Sequence, residues 1–233
     1  MAFATIDVTK GITGSVPTAN LPTIPVTKGG TNLTSGTTDQ FLKFTGTTTL
    51  ASAADNAGSF VRLGGTTGTG LSNIIHDNIF TSTYEVYKII GSHSMGVNNA
   101  ETRMVVRIGG SDYQDNYRLG MKSVERTSSA NQDSNKGFWD DTDIRLTTGS
   151  SYTASHPTAM ELTVHNPKDG TRNTCIQFRV SYYRPNESTW YALTTGGIWV
   201  DGGDGQNNDG FKIYPNSGTL DNVKYSIYGL VSS

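Results

Sequence analysis

All 11 tyrosines and all 3 tryptophans of this 233-residue chain lie at or beyond Tyr84, and no other feature limits its fold so strongly. Residues 1–78 carry Phe3, Phe41, Phe44 and Phe60 as their aromatics, set among Thr, Gly, Ser, Ala and Asn. Ordering a backbone costs about 1–2 kcal/mol per residue, and large apolar side chains supply most of what offsets it. The later segment has them and the earlier one largely lacks them. The expectation is an extended N-terminal arm over residues 1–78, ordered against neighbours, followed by a packed domain over 79–233.

The front of the arm carries Pro17, Pro22 and Pro25. Proline fixes φ and biases its predecessor toward extended backbone. Val16, Leu21, Ile24 and Val26 then stand out as apolar pegs without local partners. A stretch of about 25 residues reaches roughly 80 Å when extended, enough to cross a subunit. Gln40 to Thr45 reads as a short strand, and residues 51–57 as a helical turn. Phe41, Leu42 and Phe44 join the pegs as expected docking or trimer contacts, because intertwined copies bury what one copy cannot. Residues 71–83 read as a junction.

From Tyr84 onward, strand signals recur. Met104, Val106 and Ile108 recur at every second position on one face, as do Tyr117, Leu119 and Met121; Met160, Leu162 and Val164; and Ile176, Phe178, Val180 and Tyr182. Further runs cover 84–95, 190–193, 197–200, 210–214 and 222–230. Period-two patterning between polar turns predicts antiparallel sheets with one face in a core. No long helical period interrupts it. The fold class expected is all-β: an extended N-terminal arm followed by an antiparallel, jelly-roll-like β-sandwich knob.

Only 16% of residues are charged, and the net charge is −2. That balance argues against nucleic acid or an anionic membrane held through bulk charge. No apolar run approaches the roughly 18 residues of a membrane span, so no membrane insertion is expected. The opening residues lack the basic and apolar regions of a secretory signal, which predicts synthesis in a cytoplasm. The single cysteine, Cys175, excludes an intramolecular disulfide and reads as a buried small hydrophobe.

Three patterns could carry chemistry. Asp201, Asp204 and Asp209 lie on a glycine-rich stretch whose oxygens would suit calcium, although the repeat that usually builds such turns is absent. No cofactor is expected otherwise. Trp139 with Asp140 and Asp141 sits in a polar stretch over 128–143 that reads as a loop. An aromatic ring beside carboxylates is suited to a sugar face and its hydroxyls. Tyr182, Trp190 and Trp199 read as core. The four histidines read as surface or core residues by default, and His76 and His93 are the ones to inspect for a metal or anion gathered at a three-fold axis. No Gly-x-Ser-x-Gly elbow or phosphate-binding loop occurs, so no catalytic residue is assigned.

Two stretches resemble a known family. Residues 24–35, with Gly29-Gly30-Thr31-Asn32-Leu33, are similar to a Gly-Gly-Thr-Gly-hydrophobic segment near the start of bacteriophage tail-fibre and related virion proteins. Asn32 stands where the last glycine is usual, and Asn tolerates the left-handed backbone region. Residues 210–230, ending Tyr228-Gly229-Leu230, resemble the terminal hairpin of phage fibre tip domains. The resemblance implies a homotrimeric virion protein, assembled in a host cytoplasm. Its arm would attach to other virion structural proteins, and its knob would recognise a host-surface glycan. A capsid decoration fibre or tail connector without a ligand is the alternative, and a glycan depolymerase a further one. The chain is read as a structural protein and not an enzyme.

Overall fold

The computed structural model describes residues 41–44, 50–53, 60–115, 117–127, 131–147, 156–184, 189–200 and 207–230. The chain divides into two compact units, residues 1–55 and 56–233. In the first, β1 (Phe41–Phe44) pairs antiparallel with β2 (Leu50–Ala53), Phe41 opposite Ala53. Part of the stretch expected as a helical turn is thus a strand, satisfied by its hairpin partner. Leu42 is exposed. The side chains of Phe41 and Phe44, and all of Val16, Leu21, Ile24 and Val26, lie outside the described residues.

The second unit is an antiparallel β-sandwich, with no helix among the described residues. Its strands are β3 (Phe60–Gly68), β4 (Ile74–His76), β5 (Val86–Met95), β6 (Thr102–Ile108), β7 (Ser111–Asp112), β8 (Tyr117–Thr127) and β9 (Asn131–Asp141). They continue as β10 (Ile144–Arg145), β11 (Thr158–His165), β12 (Thr174–Arg184), β13 (Thr189–Val200), β14 (Gly210–Pro215) and β15 (Leu220–Leu230). The large sheet has eight strands in the order β3-β15-β5-β11-β12-β13-β8-β9. The small sheet has five, in the order β10-β6-β14-β4 with β7 on β6. The chain crosses between sheets from β3 to β4, β4 to β5, β5 to β6, β7 to β8, β9 to β10, β10 to β11, β13 to β14 and β14 to β15. These crossovers give the sandwich its jelly-roll-like character.

One buried cluster joins the sheets. Ile89, Leu162, Ile176, Ile198 and Ile227 enter it from the large sheet, and Met104, Val106 and Ile213 from the small one. Phe80, on the connection after β4, bridges them: its ring lies 4.8 Å from Tyr87 of β5 and 5.9 Å from Phe211 of β14. The Tyr117 hydroxyl accepts from the Val106 amide at 2.9 Å and donates to the Tyr113 carbonyl at 2.6 Å, tying β8 to β6 without an unpaired polar atom.

Two expectations are corrected here. β3 and β4 fall inside the expected arm, yet β3 runs along β15 from Phe60↔Leu230 to Gly68↔Val223, and Ile74 of β4 is a core residue at 1% exposure. The strand-bearing body therefore starts before residue 79. The second correction concerns the expected terminal hairpin. β14 pairs with β6 and β4, whereas β15 pairs with β5 and β3, so the two strands lie in different sheets. The turn between them is an arch. Gly218 supports it with φ 72° and lies so close to Val97 that an added Cβ would sit 2.6 Å from that side chain. Asn222 follows at φ 51°, a left-handed position that asparagine tolerates, at a bulge against β5.

The outer face of the small sheet is a closed charge network. Arg103 holds Asp143 at 2.8 Å and Glu101 at 2.6 Å. Arg107 holds Asp77 at 2.6 Å together with Asp112, and Lys212 meets Asp112 at 2.6 Å. The Tyr214 hydroxyl donates to Asp143 at 2.9 Å, and burial pushes its own proton affinity up. Asp143, from the acidic cluster after Trp139, is thus tied into the fold.

Candidate functional site

The outer face of the large sheet is the surface that combines open space, hydrogen-bonding groups and an exposed ring. Directly opposed residues of an antiparallel ladder share a face. Core-facing Ile176, Phe178 and Val180 alternate with outward Cys175, Gln177 and Arg179 on β12. Ile198 and Val200 alternate with outward Gly197 and Trp199 on β13, and Leu119 and Met121 with Gly120 and Lys122 on β8. The register then aligns Thr163↔Gln177, Gln177↔Gly197, Gly197↔Gly120 and Gly120↔Gly137 in one row across β11, β12, β13, β8 and β9.

Three neighbouring glycines in that row leave the backbone bare. A Cβ on Gly197 or Gly120 would meet nothing within 4 Å, and one on Gly137 only the Leu119 carbonyl oxygen at 3.7 Å. The result is a trough crossing the strands. At about 4.8 Å per strand it runs roughly 19 Å from Thr163 to Gly137. Its walls are the rows on either side. One carries Cys175, Trp199 and Arg118, and the other Arg179, Thr195 and Lys122. At the β11–β12 end it deepens into a hollow of about 230 Å³ lined by Glu161, Thr163, Gln177, Phe178 and Arg179. Beyond Thr163 the row continues with Lys88 and Tyr228, whose longer side chains end it. Lys88 is paired with Glu161.

Trp199 is 59% exposed, the most exposed large apolar side chain among the described residues. Its expectation as core is corrected: residue 198 takes the core position, so 199 must face out. Tyr182 is core, at 2%. Cys175 is also corrected. It is half-buried on the outer face opposite Trp199, and burial pushes its thiol up.

Trp139 and Asp140 were expected on a loop, but β9 is a strand along the sheet edge. The register jumps from Leu119↔Phe138 to Tyr117↔Asp141, so Trp139 and Asp140 together oppose Arg118 in a bulge. Arg118 in turn opposes Trp199. The sequence-chosen backbone and the trough therefore meet at Arg118; the side chains of Trp139, Asp140 and Asp141 lie outside the described residues.

Asp201 and Asp204 also lie outside them. Asp209 is buried, and its Oδ2 accepts from the Gly109 amide at 2.8 Å. Its backbone accepts from Phe80 at 3.0 Å and donates to Arg107 at 2.9 Å, which makes it a brace between β6 and the chain entering β14. No group of three metal-ligating side chains occurs among the described residues. His76 accepts or donates at 2.8 Å to Thr66 and lies 5.4 Å from the Phe211 ring, while His93 is fully buried. His93 is thus a core histidine enclosed by its own chain, which removes it as a group that other copies could share at a three-fold axis.

A second hollow, of about 180 Å³, lies between Tyr84 and Arg172. Its acids are paired locally: Arg172 meets Asp169 and, at 3.7 Å, Glu85, and Asp169 is held down to about 2 by the Thr171 hydroxyl and amide and by Arg172. The trough is the better ligand surface because its floor is unfilled.

Two substitutions separate the trough from the fold. Gly120→Thr is expected to leave the thermal midpoint within a few degrees, since its Cβ has space and β-branched residues suit strands. It nevertheless fills the floor. Trp199→Ala is expected to change stability by no more than about 0.5 kcal/mol, as exposed positions do. Thermal melts of both variants check this.

No family model matches the chain, and no curated protein matches it. Among solved structures, "Structure of infectious bursal disease virus Gx strain" aligns at 10% identity over 84% of this chain and 48% of that chain. Its TM-score is 0.09, too low to carry any argument.

Proposed function

We propose that the chain is a structural component of a tailed-phage virion, a homotrimeric tail fibre or fibre-like appendage. Its sandwich presents a glycan-binding trough on the outer face of the large sheet. The observation that carries the glycan reading is Trp199, exposed beside the bare backbone of Gly197, Gly120 and Gly137. A flat, unfilled floor with a ring on its rim admits the face of a sugar, and Gln177, Thr195 and the flanking cations reach its hydroxyls. The virion reading rests on the two family-like stretches and on the aromatic-poor front segment, whose apolar pegs suit contacts with other virion proteins.

The test is competition for adsorption. Purified full-length chain added to host cells is expected to block attachment of the particle that carries it, whereas the Trp199→Ala chain is not. Native mass spectrometry should give three copies per assembly. A monomer that never competes, on a particle whose labelled copies sit on the capsid, would leave the decoration reading in its place.

A further inference from the structure

We infer that the trough selects an acidic glycan and seats its carboxylate on Arg179. This rests on the glycan reading above and adds the chemical class of the ligand. Arg179 projects from β12 into the hollow and is exposed. It makes no hydrogen bond or ion pair among the described residues. The acid nearest to it across the ladder is Glu161, which faces it in the register, but that carboxylate is taken by Lys88 on the opposite side. Arg179 is therefore left as a cation at the deep end of an open trough.

Among the described outward residues of β11, β12, β13 and β8, cations outnumber acids. Over β11, β12, β13 and β8 the described outward charges are Glu161 against Arg179, Lys122 and Arg118, with His165 at the margin. Lys122 stands two residues from Gly120 on one side of the floor and Arg118 two residues away on the other. A ligand lying in the trough passes between them. A guanidinium presents a planar fork that matches a carboxylate through two parallel hydrogen bonds, a geometry an ammonium lacks. Gln177, directly beside Arg179 along β12 on the same face, supplies an amide for the adjoining hydroxyl. Trp199 then takes the face of a ring further along.

The experiment measures binding of the full-length chain to polygalacturonate, alginate, hyaluronate and polysialic acid, and to dextran, mannan and galactan. Each acidic polymer that binds is also tested in its carboxyl-reduced form. At least one acidic polymer should bind, with affinity falling about tenfold or more on carboxyl reduction and by a similar factor in Arg179→Gln. Arg179→Lys should recover part of the loss. Gly120→Thr and Trp199→Ala should abolish binding while their melts stay in place. Neutral polymers bound through Trp199, with Arg179→Gln unaffected, would overturn the acidic assignment and leave the glycan reading standing. Acidic binding indifferent to both Arg179→Gln and Gly120→Thr overturns the assignment as well. Failure to bind any polymer overturns both.

Discussion

A chain beginning at residue 78 will fail to fold, whereas one beginning at residue 56 will melt as a single cooperative unit. The first cut removes β3 and β4. β15 then loses the whole ladder from Phe60↔Leu230 to Gly68↔Val223, and β14 loses Ile74, Ile75 and His76. Ile74, at 1% exposure, also leaves a hole in the core. Truncating one buried isoleucine costs about 2–5 kcal/mol, and losing two paired strands adds to that. Whole domains have only about 5–15 kcal/mol to lose. Size-exclusion chromatography and near-ultraviolet circular dichroism of the two fragments check this. A fragment from residue 78 that melts within a few degrees of the longer one would contradict the place given to β3 and β4.

The second large effect is with pH. His93 is fully buried between the sheets, with Nδ1 2.8 Å from the Tyr225 hydroxyl and Nε2 2.9 Å from Thr102 Oγ1. Tyr225 also reaches Met160 Sδ at 2.8 Å. One arrangement satisfies every polar atom. Thr102 donates to Nε2, Nδ1–H donates to Tyr225, and Tyr225 donates to Met160. The ring in it is neutral, and burial lowers its proton affinity from 6.5 to about 4. Above pH 6.5 both folded and unfolded chains hold a neutral ring, and stability is full. Between 6.5 and 4 the unfolded chain binds a proton that the folded chain refuses, so stability falls as pH falls. The expected loss between pH 7.5 and 4.5 is on the order of 2–3 kcal/mol. His76, also lowered by burial, adds to it with the same sign. Urea unfolding across that range should show the slope, and His93→Gln should remove most of it. Equal slopes in the two chains would mean that His93 titrates alike folded and unfolded.

Much of the sandwich could be read from period-two patterning. The runs 102–108 and 174–184 coincide with β6 and β12 because each places large apolar residues at every second position. Strands without that pattern were missed. β9 reads Asn-Gln-Asp-Ser-Asn-Lys-Gly, and its strand state comes from the ladder it makes with β8. β3 is rich in glycine and threonine and is held by β15 in the same way. Burial of both faces is a further blind spot. Val105 and Arg107 of β6 are buried opposite Met104 and Val106, because the charge network with Asp77 and Asp112 covers that side.

The candidate site was half legible. An aromatic near the right strand edge could be found, since Trp139 lies in the bulge beside Arg118. Trp199 could not be placed without knowing which of residues 198 and 199 faces the core. The glycine floor is invisible in the sequence altogether. Gly120, Gly137 and Gly197 come from three strands, and only the register brings them into one row.

A crystal structure of the full-length chain soaked with an oligosaccharide of the best-binding polymer tests the central claim most directly. The ligand is predicted to cross β13 and β8 over Gly197 and Gly120, with one ring against Trp199 and its acid on Arg179. A ligand seated anywhere else on the sandwich, with the trough vacant, would contradict the assignment.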